Sequence, residues 1–246
     1  NDSLKPFIVR RSEIVPCKTA FIDARSPGSD QKENYCLIGG GVAENPSQVV
    51  HINTPHGFDV GAARQPTGCK NSHHSHDTEE VFVVHKGQWK FTWGEDGSDG
   101  EVVLDSGDTI SIPTQLFRGF ENVGDHDGFL FAVLGHLPNG TPGRVTWAPY
   151  VFDEAKKHGL VLLQDGRLID THAGQSIPDN QPLYQPVCGK ELEAFRTLSM
   201  EEMVKNVSRH TDLLNQGAGG LTNGNGVHEF ALIGDKNEDE GMPAGK

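Results

Sequence analysis

Nowhere in this 246-residue sequence do apolar residues run far enough to cross a bilayer. The longest such stretch, Phe129–Leu134, has the length of one strand, against the roughly 20 residues a spanning helix needs. Basic residues are also scarce: Lys and Arg number 21 against 34 Asp and Glu, a formal charge of −13. The chain therefore lacks the clustered cations that phosphate backbones and membrane surfaces attract, and neither nucleic acid nor membrane is expected as a partner. Cysteine is limited to Cys17, Cys36, Cys69 and Cys188, with no C-x-x-C pair. That excludes a small disulfide scaffold and a zinc ribbon, and leaves four reduced thiols as the plain expectation. No signal-peptide pattern is present, so a cytoplasmic location is the default. Asn139-Gly-Thr141 and Asn206-Val-Ser208 fit the glycosylation pattern at the frequency chance supplies.

Turn-forming residues are plentiful. With 30 Gly, 14 Pro and 35% hydrophobic residues, the composition is that of a turn-rich globular chain able to bury a core. Phe7–Val9, Thr19–Ile22 and Tyr35–Ile38 read as short strands, the last ended by Gly39-Gly40-Gly41. Signals become dense between Thr78 and Val133. Glu80–His85, the alternating Trp89, Phe91 and Trp93, then Glu101–Leu104, Thr109–Ile112 and Phe129–Val133 are strands, with Glu95–Gly100 as a polar hairpin loop. Short strands at this spacing predict a barrel or sandwich.

Helix signals come later. Asp153–His158 with Gly159 predicts one short helix, and Val161–Ile169 folds around Asp165-Gly166 as a type I′ hairpin. Ser199-Met-Glu-Glu202 is a capping box opening a helix to about His210. The Gly-rich stretches Gln216–Gly220 and Asn223–Gly226 follow, and Phe230–Gly234 echoes Tyr35–Gly39. The expected organisation is a barrel over 1–150, a linker with a hairpin and short helices over 151–215, and a flexible segment opening a second, incomplete barrel over 216–246.

Chemistry concentrates between Gly68 and Gly87. In an extended strand, residues an even number apart share a face, so His74, His76 and Glu80 can all point into a barrel. Two imidazoles and one carboxylate form the facial triad that suits Fe(II) and leaves positions open for dioxygen and a chelating substrate. Mn, Ni and Zn accept the same donors. His73, Ser75 and Glu79 fall on the opposite face. His51 and His56 flank a turn and read as hydrogen-bonded loop residues. Trp89, Phe91 and Trp93 serve either as core or as the lining of an aromatic substrate pocket.

Here the sequence resembles the cupin superfamily. Its first motif, G-x5-H-x-H-x3-E-x6-G, is met at every fixed position by Gly68, His74, His76, Glu80 and Gly87. Its second, G-x5-P-x-G-x2-H-x3-N, aligns with Gly107, Pro113 and Asn122, but has Gln115 for the inner Gly and Arg118 for the His. The resemblance implies a mostly β fold, a cupin antiparallel jelly-roll barrel, here with a helix-containing C-terminal extension. In the family the second-motif His supplies a fourth metal ligand, which Arg118 cannot do: a guanidinium has no lone pair to give.

Three readings stay open. The triad holds a metal while Arg118 clamps a substrate carboxylate or phenolate; His126 or His136 completes the site; or Arg118 pairs with Glu80 in the metal's place, leaving a barrel without a cofactor. The layout is similar to that of two-barrel aromatic ring-cleaving dioxygenases of the gentisate or hydroquinone type. On that resemblance the protein is an Fe(II)-dependent dioxygenase acting on a dihydroxylated aromatic compound, with Arg118 catalytic and Arg118, Trp89, Phe91 and Asn122 binding substrate. A non-catalytic structural or ligand-binding barrel and a metal-dependent isomerase or lyase are the alternatives. Association as a homo-oligomer, or with another subunit, is expected.

Overall fold

The structure, a computed structural model, describes residues 2–215 and 232–233. Three strands precede the histidine-rich stretch: β1 (Glu33–Ile38), β2 (Val50–Ile52) and β3 (Phe58–Gln65). Then come β4 (Lys70–His76), β5 (Glu80–Lys86), β6 (Trp89–Trp93), β7 (Gly100–Leu104), β8 (Thr109–Ile112), β9 (Arg118–Asn122) and β10 (Gly128–Gly135). β11 (Val145–Trp147) leads to α1 (Pro149–Lys157) and the hairpin of β12 (Leu160–Leu162) and β13 (Leu168–Asp170). The short helices α2 (Lys190–Glu193) and α3 (Met200–Val204), the strand β14 (Val207–Ser208) and α4 (His210–Asn215) close the described chain.

The strands form a seven-stranded sheet, ordered β14-β8-β5-β10-β3-β1-β2, and a five-stranded sheet, ordered β11-β4-β9-β6-β7. The two face each other as an antiparallel jelly-roll barrel. Alternation in the sequence becomes alternation in burial: in β5 and β6, Phe82, Val84, Trp89, Phe91 and Trp93 turn inward while Val81, Val83, Lys90 and Thr92 are only partly covered. Phe82, Phe91 and Phe120 interlock with centroid separations of 5.1–5.6 Å, and such rings each remove roughly 150–250 Å² from water. The turn between β5 and β6 depends on Gly87, which has φ 93° and whose added Cβ would lie 2.9 Å from Gly128 Cα.

A second core lies under the extension. Val151 and Ala155 of α1, with Leu160 and Leu162 of β12, pack on Phe117, Trp147 and Ile22. The extension is therefore built onto the barrel. Arg196 N–H also donates to Gln115 O (2.7 Å), and Trp93 Nε1–H donates to Leu198 O (2.7 Å).

Several local expectations change. Phe7–Val9 is not a strand: Asp2–Phe7 forms a 3₁₀ helix containing Pro6, and residues 8–10 have no regular structure. Thr19–Ile22 belongs to a run of turns, whose backbone is satisfied by bonds such as Ala24 N–H to Phe21 O (3.0 Å) and Ser26 N–H to Asp23 O (2.9 Å). Ala20 and Ile22 are buried there, and Phe21 partly so, without a ladder. The Val161–Ile169 hairpin is present, but Gly166 alone in its turn has positive φ, at 87°. With Gly166 N–H bonded to Leu163 O and Leu163 N–H to Arg167 O, it is a type I turn with a glycine bulge, not type I′. The capping box at Ser199 and Glu202 forms, yet α3 stops at Val204 because the chain straightens to pair Val207 and Ser208 with Ile110 and Thr109 of β8. Gln216–Gly220, Asn223–Gly226 and nearly all of the Phe230–Gly234 echo lie outside the described residues.

The second motif's missing glycine leaves a trace. Among the described non-glycine residues, Gln115 alone has positive φ, at 58°, a conformation that costs an L-residue roughly 1–2 kcal/mol. Its N–H donates to His76 O (3.0 Å) and its carbonyl accepts Arg196 N–H, so the turn is held from both sides. Gln115→Gly is expected to raise stability by about 0.5–1 kcal/mol, the relieved strain less the extra unfolded-state freedom. A lower urea midpoint in that variant would contradict the strain assignment.

Candidate functional site

β4 belongs to one sheet and β5 to the other, and only Asp77–Glu79 separates them. The first motif therefore spans the barrel at its turn, bringing His74 and His76 on one wall to Glu80 on the other. Their ligand atoms all lie within 4.8 Å of one another, and His76 Nε2 is 3.7 Å from Glu80 Oε2. All three residues are buried. The two imidazoles meet edge to face, with centroids 5.1 Å apart.

Backbone carbonyls set the tautomers. His74 Nδ1 lies 2.8 Å from Ser72 O, and His76 Nδ1 lies 3.3 Å from Arg144 O. With Nδ1–H donating, each Nε2 keeps its lone pair for the centre of the site, the arrangement that outer-shell partners give metal-binding histidines. Burial, followed by the charge of Arg118, holds both imidazoles well below the ordinary histidine range. They are neutral, as ligands must be. Burial raises the Glu80 carboxyl and the ion pair with Arg118 opposes that rise.

Arg118 stands opposite His74 in the β4–β9 register. It is 1% exposed. One terminal nitrogen donates to His74 O (2.8 Å) and the other to Glu80 Oε2, while Nε has no partner. The pairing with Glu80 is the contact anticipated in the third reading. Arg118 is not part of the cavity wall and touches that wall through Glu80 and the His74 carbonyl. Glu80 Oε1 accepts no hydrogen bond from the described residues, leaving that oxygen free. Two neutral imidazole nitrogens and a free carboxylate oxygen fit a divalent cation.

The triad forms part of the wall of an otherwise largely apolar cavity, with Phe82, Phe120, Leu130, Ala132, Val145 and Trp147. Trp147 also lies 5.0 Å from the His74 ring. Behind β4 is a polar cluster without a local sequence signature. Lys32 and Asp23, both fully buried, form an ion pair; Lys32 Nζ also donates to Asn71 Oδ1 (2.7 Å), and Asp23 Oδ2 accepts Ser72 N–H (2.9 Å). Asn71 Nδ2 is 3.3 Å from His74 Nδ1. The cluster fixes the backbone that carries His74. Nearby, Glu44 accepts Trp147 Nε1–H and Ile22 N–H, both at 2.7 Å, and burial pushes its carboxyl up to about 7.

Other residues singled out in the sequence fall elsewhere. Trp89 and Phe91 belong to the hydrophobic core and not to the cavity wall; Trp89 Nε1–H bonds to Lys86 O (3.0 Å). Asn122 ties a loop, donating to Gln65 O and His126 O and accepting Gly124 N–H, also away from the cavity. The inward face of β6 is packed by neighbouring rings and the Asn122 amide is bonded to backbone. His126 pairs with exposed Asp125 and His136 with Asp59 (3.1 Å), and neither joins the triad. His51 Nδ1 lies 2.7 Å from Cys36 O and its Nε2 accepts Val15 N–H (2.9 Å), as a hydrogen-bonded loop histidine. All four cysteines are free. Among the described residues no helix is long and apolar enough to cross a membrane.

Residues 63–134 match the cupin domain family. That match spans the end of β3 through most of β10 and includes both motifs. No curated protein matches the chain. Among solved structures, it is similar to the polyketide cyclase RemF of Streptomyces resistomycificus, at 17% identity over 51% of this chain and 76% of that one, TM-score 0.38. A cupin-like protein of Thermotoga maritima has 15% identity over 52% and 84%, TM-score 0.36. The oxalate decarboxylase of Lactobacillus farciminis, in its formate complex, has 14% identity over 50% and 31%, TM-score 0.35. The chain spans 31–63% of the lengths of the first structures it matches.

Proposed function

We propose that this protein is an Fe(II)-dependent dioxygenase that acts on a dihydroxylated aromatic compound in the barrel cavity. The observation that carries the reading is the buried His74–His76–Glu80 cluster, with both Nε2 atoms and one Glu80 oxygen free, on the wall of a largely apolar cavity. Bound iron would supply the open coordination and electron transfer that couple an electron-rich ring to dioxygen. The chain's part is to hold three donors in place, to keep both imidazoles neutral, and to surround the ring with apolar side chains that exclude water. Arg118 positions Glu80 and balances its charge. Protein purified anaerobically with Fe(II) is expected to contain near-stoichiometric iron and to consume oxygen with hydroquinone or gentisate. Iron-loaded protein that consumes none would remove the dioxygenase reading and turn attention to isomerase or lyase chemistry.

One observation favours a second reading, a cupin barrel without a metal. Arg118 already contacts the Glu80 oxygen that faces His76, and a guanidinium there supplies the positive charge an ion would bring. Absence of bound metal from folded protein supplied with Fe(II), Mn, Ni and Zn would establish this reading over the first.

A further inference from the structure

The cavity holds polar groups that the triad does not use. Asn34 lies on β1, and β1 and β2 pair in parallel with Cys36 beside Val50. Gln48 lies in the loop that leads into β2, two residues before Val50. Asn34 and Gln48 both line the cavity. Asn34 Oδ1 and Gln48 Oε1 are buried and have no hydrogen-bond partner. The Asn34 backbone is engaged with Cys17 on both its N–H and its carbonyl, yet its side-chain amide makes no bond; Gln48 Nε2 makes only a 3.4 Å bond to Val49 O. Buried amide oxygens are ordinarily paired, and two left unused on the wall of one cavity mark where a partner belongs. Among the described residues, the same wall contains no Lys or Arg.

We infer that Asn34 and Gln48 form a hydrogen-bonding subsite for an uncharged hydroxyl of the ligand, which excludes a carboxylate at that position. The inference rests on the reading of this cavity as the substrate site. A hydroxyl both donates and accepts, and so meets an amide whichever way the amide is turned. A carboxylate offers acceptors only, and would enter a wall without a counter-charge, where burial of an ion is strongly opposed. Because no Lys or Arg lines the cavity, the carboxylate of gentisate would be buried without a counter-charge even with its hydroxyl in the subsite, so within the dihydroxylated aromatic class hydroquinone is favoured over gentisate.

The test is anaerobic calorimetric titration of the whole chain, metal-free and metal-loaded, with hydroquinone and with gentisate. Hydroquinone is expected to bind at least tenfold more tightly than gentisate in the metal-free protein. Asn34→Leu and Gln48→Leu should each weaken hydroquinone about tenfold, the worth of one hydrogen bond, while leaving metal content unchanged. Gln48 lies in a loop outside β2, so its variant keeps the test valid if Asn34→Leu misfolds. Gentisate binding as tightly as hydroquinone, unchanged hydroquinone affinity in the variants, or no binding of either compound would overturn the subsite. Failure of the metal reading looks different: no metal bound, with the Asn34-dependent preference for hydroquinone intact.

Discussion

His76→Ala is expected to strip the metal from the protein and abolish oxygen consumption, with the barrel still folded. The loss should exceed the roughly 10–100-fold that removal of an outer-shell partner costs, because a donor itself is gone. His76 is the decisive position because its Nε2 faces Glu80 and its other nitrogen is committed to Arg144 O. Its removal leaves one imidazole and one carboxylate, too few to hold the ion. Elemental analysis of wild type and variant, prepared side by side with Fe(II), reads the result directly. Iron retained at the wild-type level would show that metal, if bound, sits elsewhere.

Arg118→Met should have the largest effect on stability. It leaves Glu80 buried without its counter-charge, a change that costs about 3–5 kcal/mol when one member of a buried pair is removed. Glu80→Met in the same chain should recover most of that loss, since replacing both members removes the uncompensated charge. Divalent metal should also stabilise Arg118→Met more than it stabilises the wild type, because the ion takes over the neutralisation of Glu80. Urea unfolding with and without metal separates these contributions. An unchanged midpoint in metal-free Arg118→Met would mean that the ion pair contributes nothing. Arg118→His, which places an imidazole opposite His74 in register, should raise metal affinity.

The parts of this architecture readable in the sequence were those governed by local periodicity. β5, β6, β7, β8 and β10 follow alternation and turn residues, and the triad follows from even spacing on an extended chain. What stayed hidden depends on distant partners. Nothing near Lys32 or Asp23 signals that both are fully buried behind β4, since each is stabilised by the other and by Asn71, 39 residues beyond Lys32. Trp89 and Phe91 could have faced a ligand or the core, and strand alternation cannot say which; the neighbouring β9, bringing Phe120, fills the space. The same limit explains the Ser199 helix: its capping box specifies a start, while its end is set by β8, about ninety residues earlier in the chain.

That last contact bears on how the protein can be divided. β14 covers the free side of β8, and so terminates the seven-stranded sheet with residues from beyond the barrel. A recombinant fragment ending near residue 150 would retain the triad but lay bare the ladder groups of β8 and the apolar seat of α1. Exposed strands of that kind recruit one another. Such a fragment would self-associate, and its aggregation would say nothing about the site. Any dissection should keep the chain to at least residue 208, so that the sheet carries its own border.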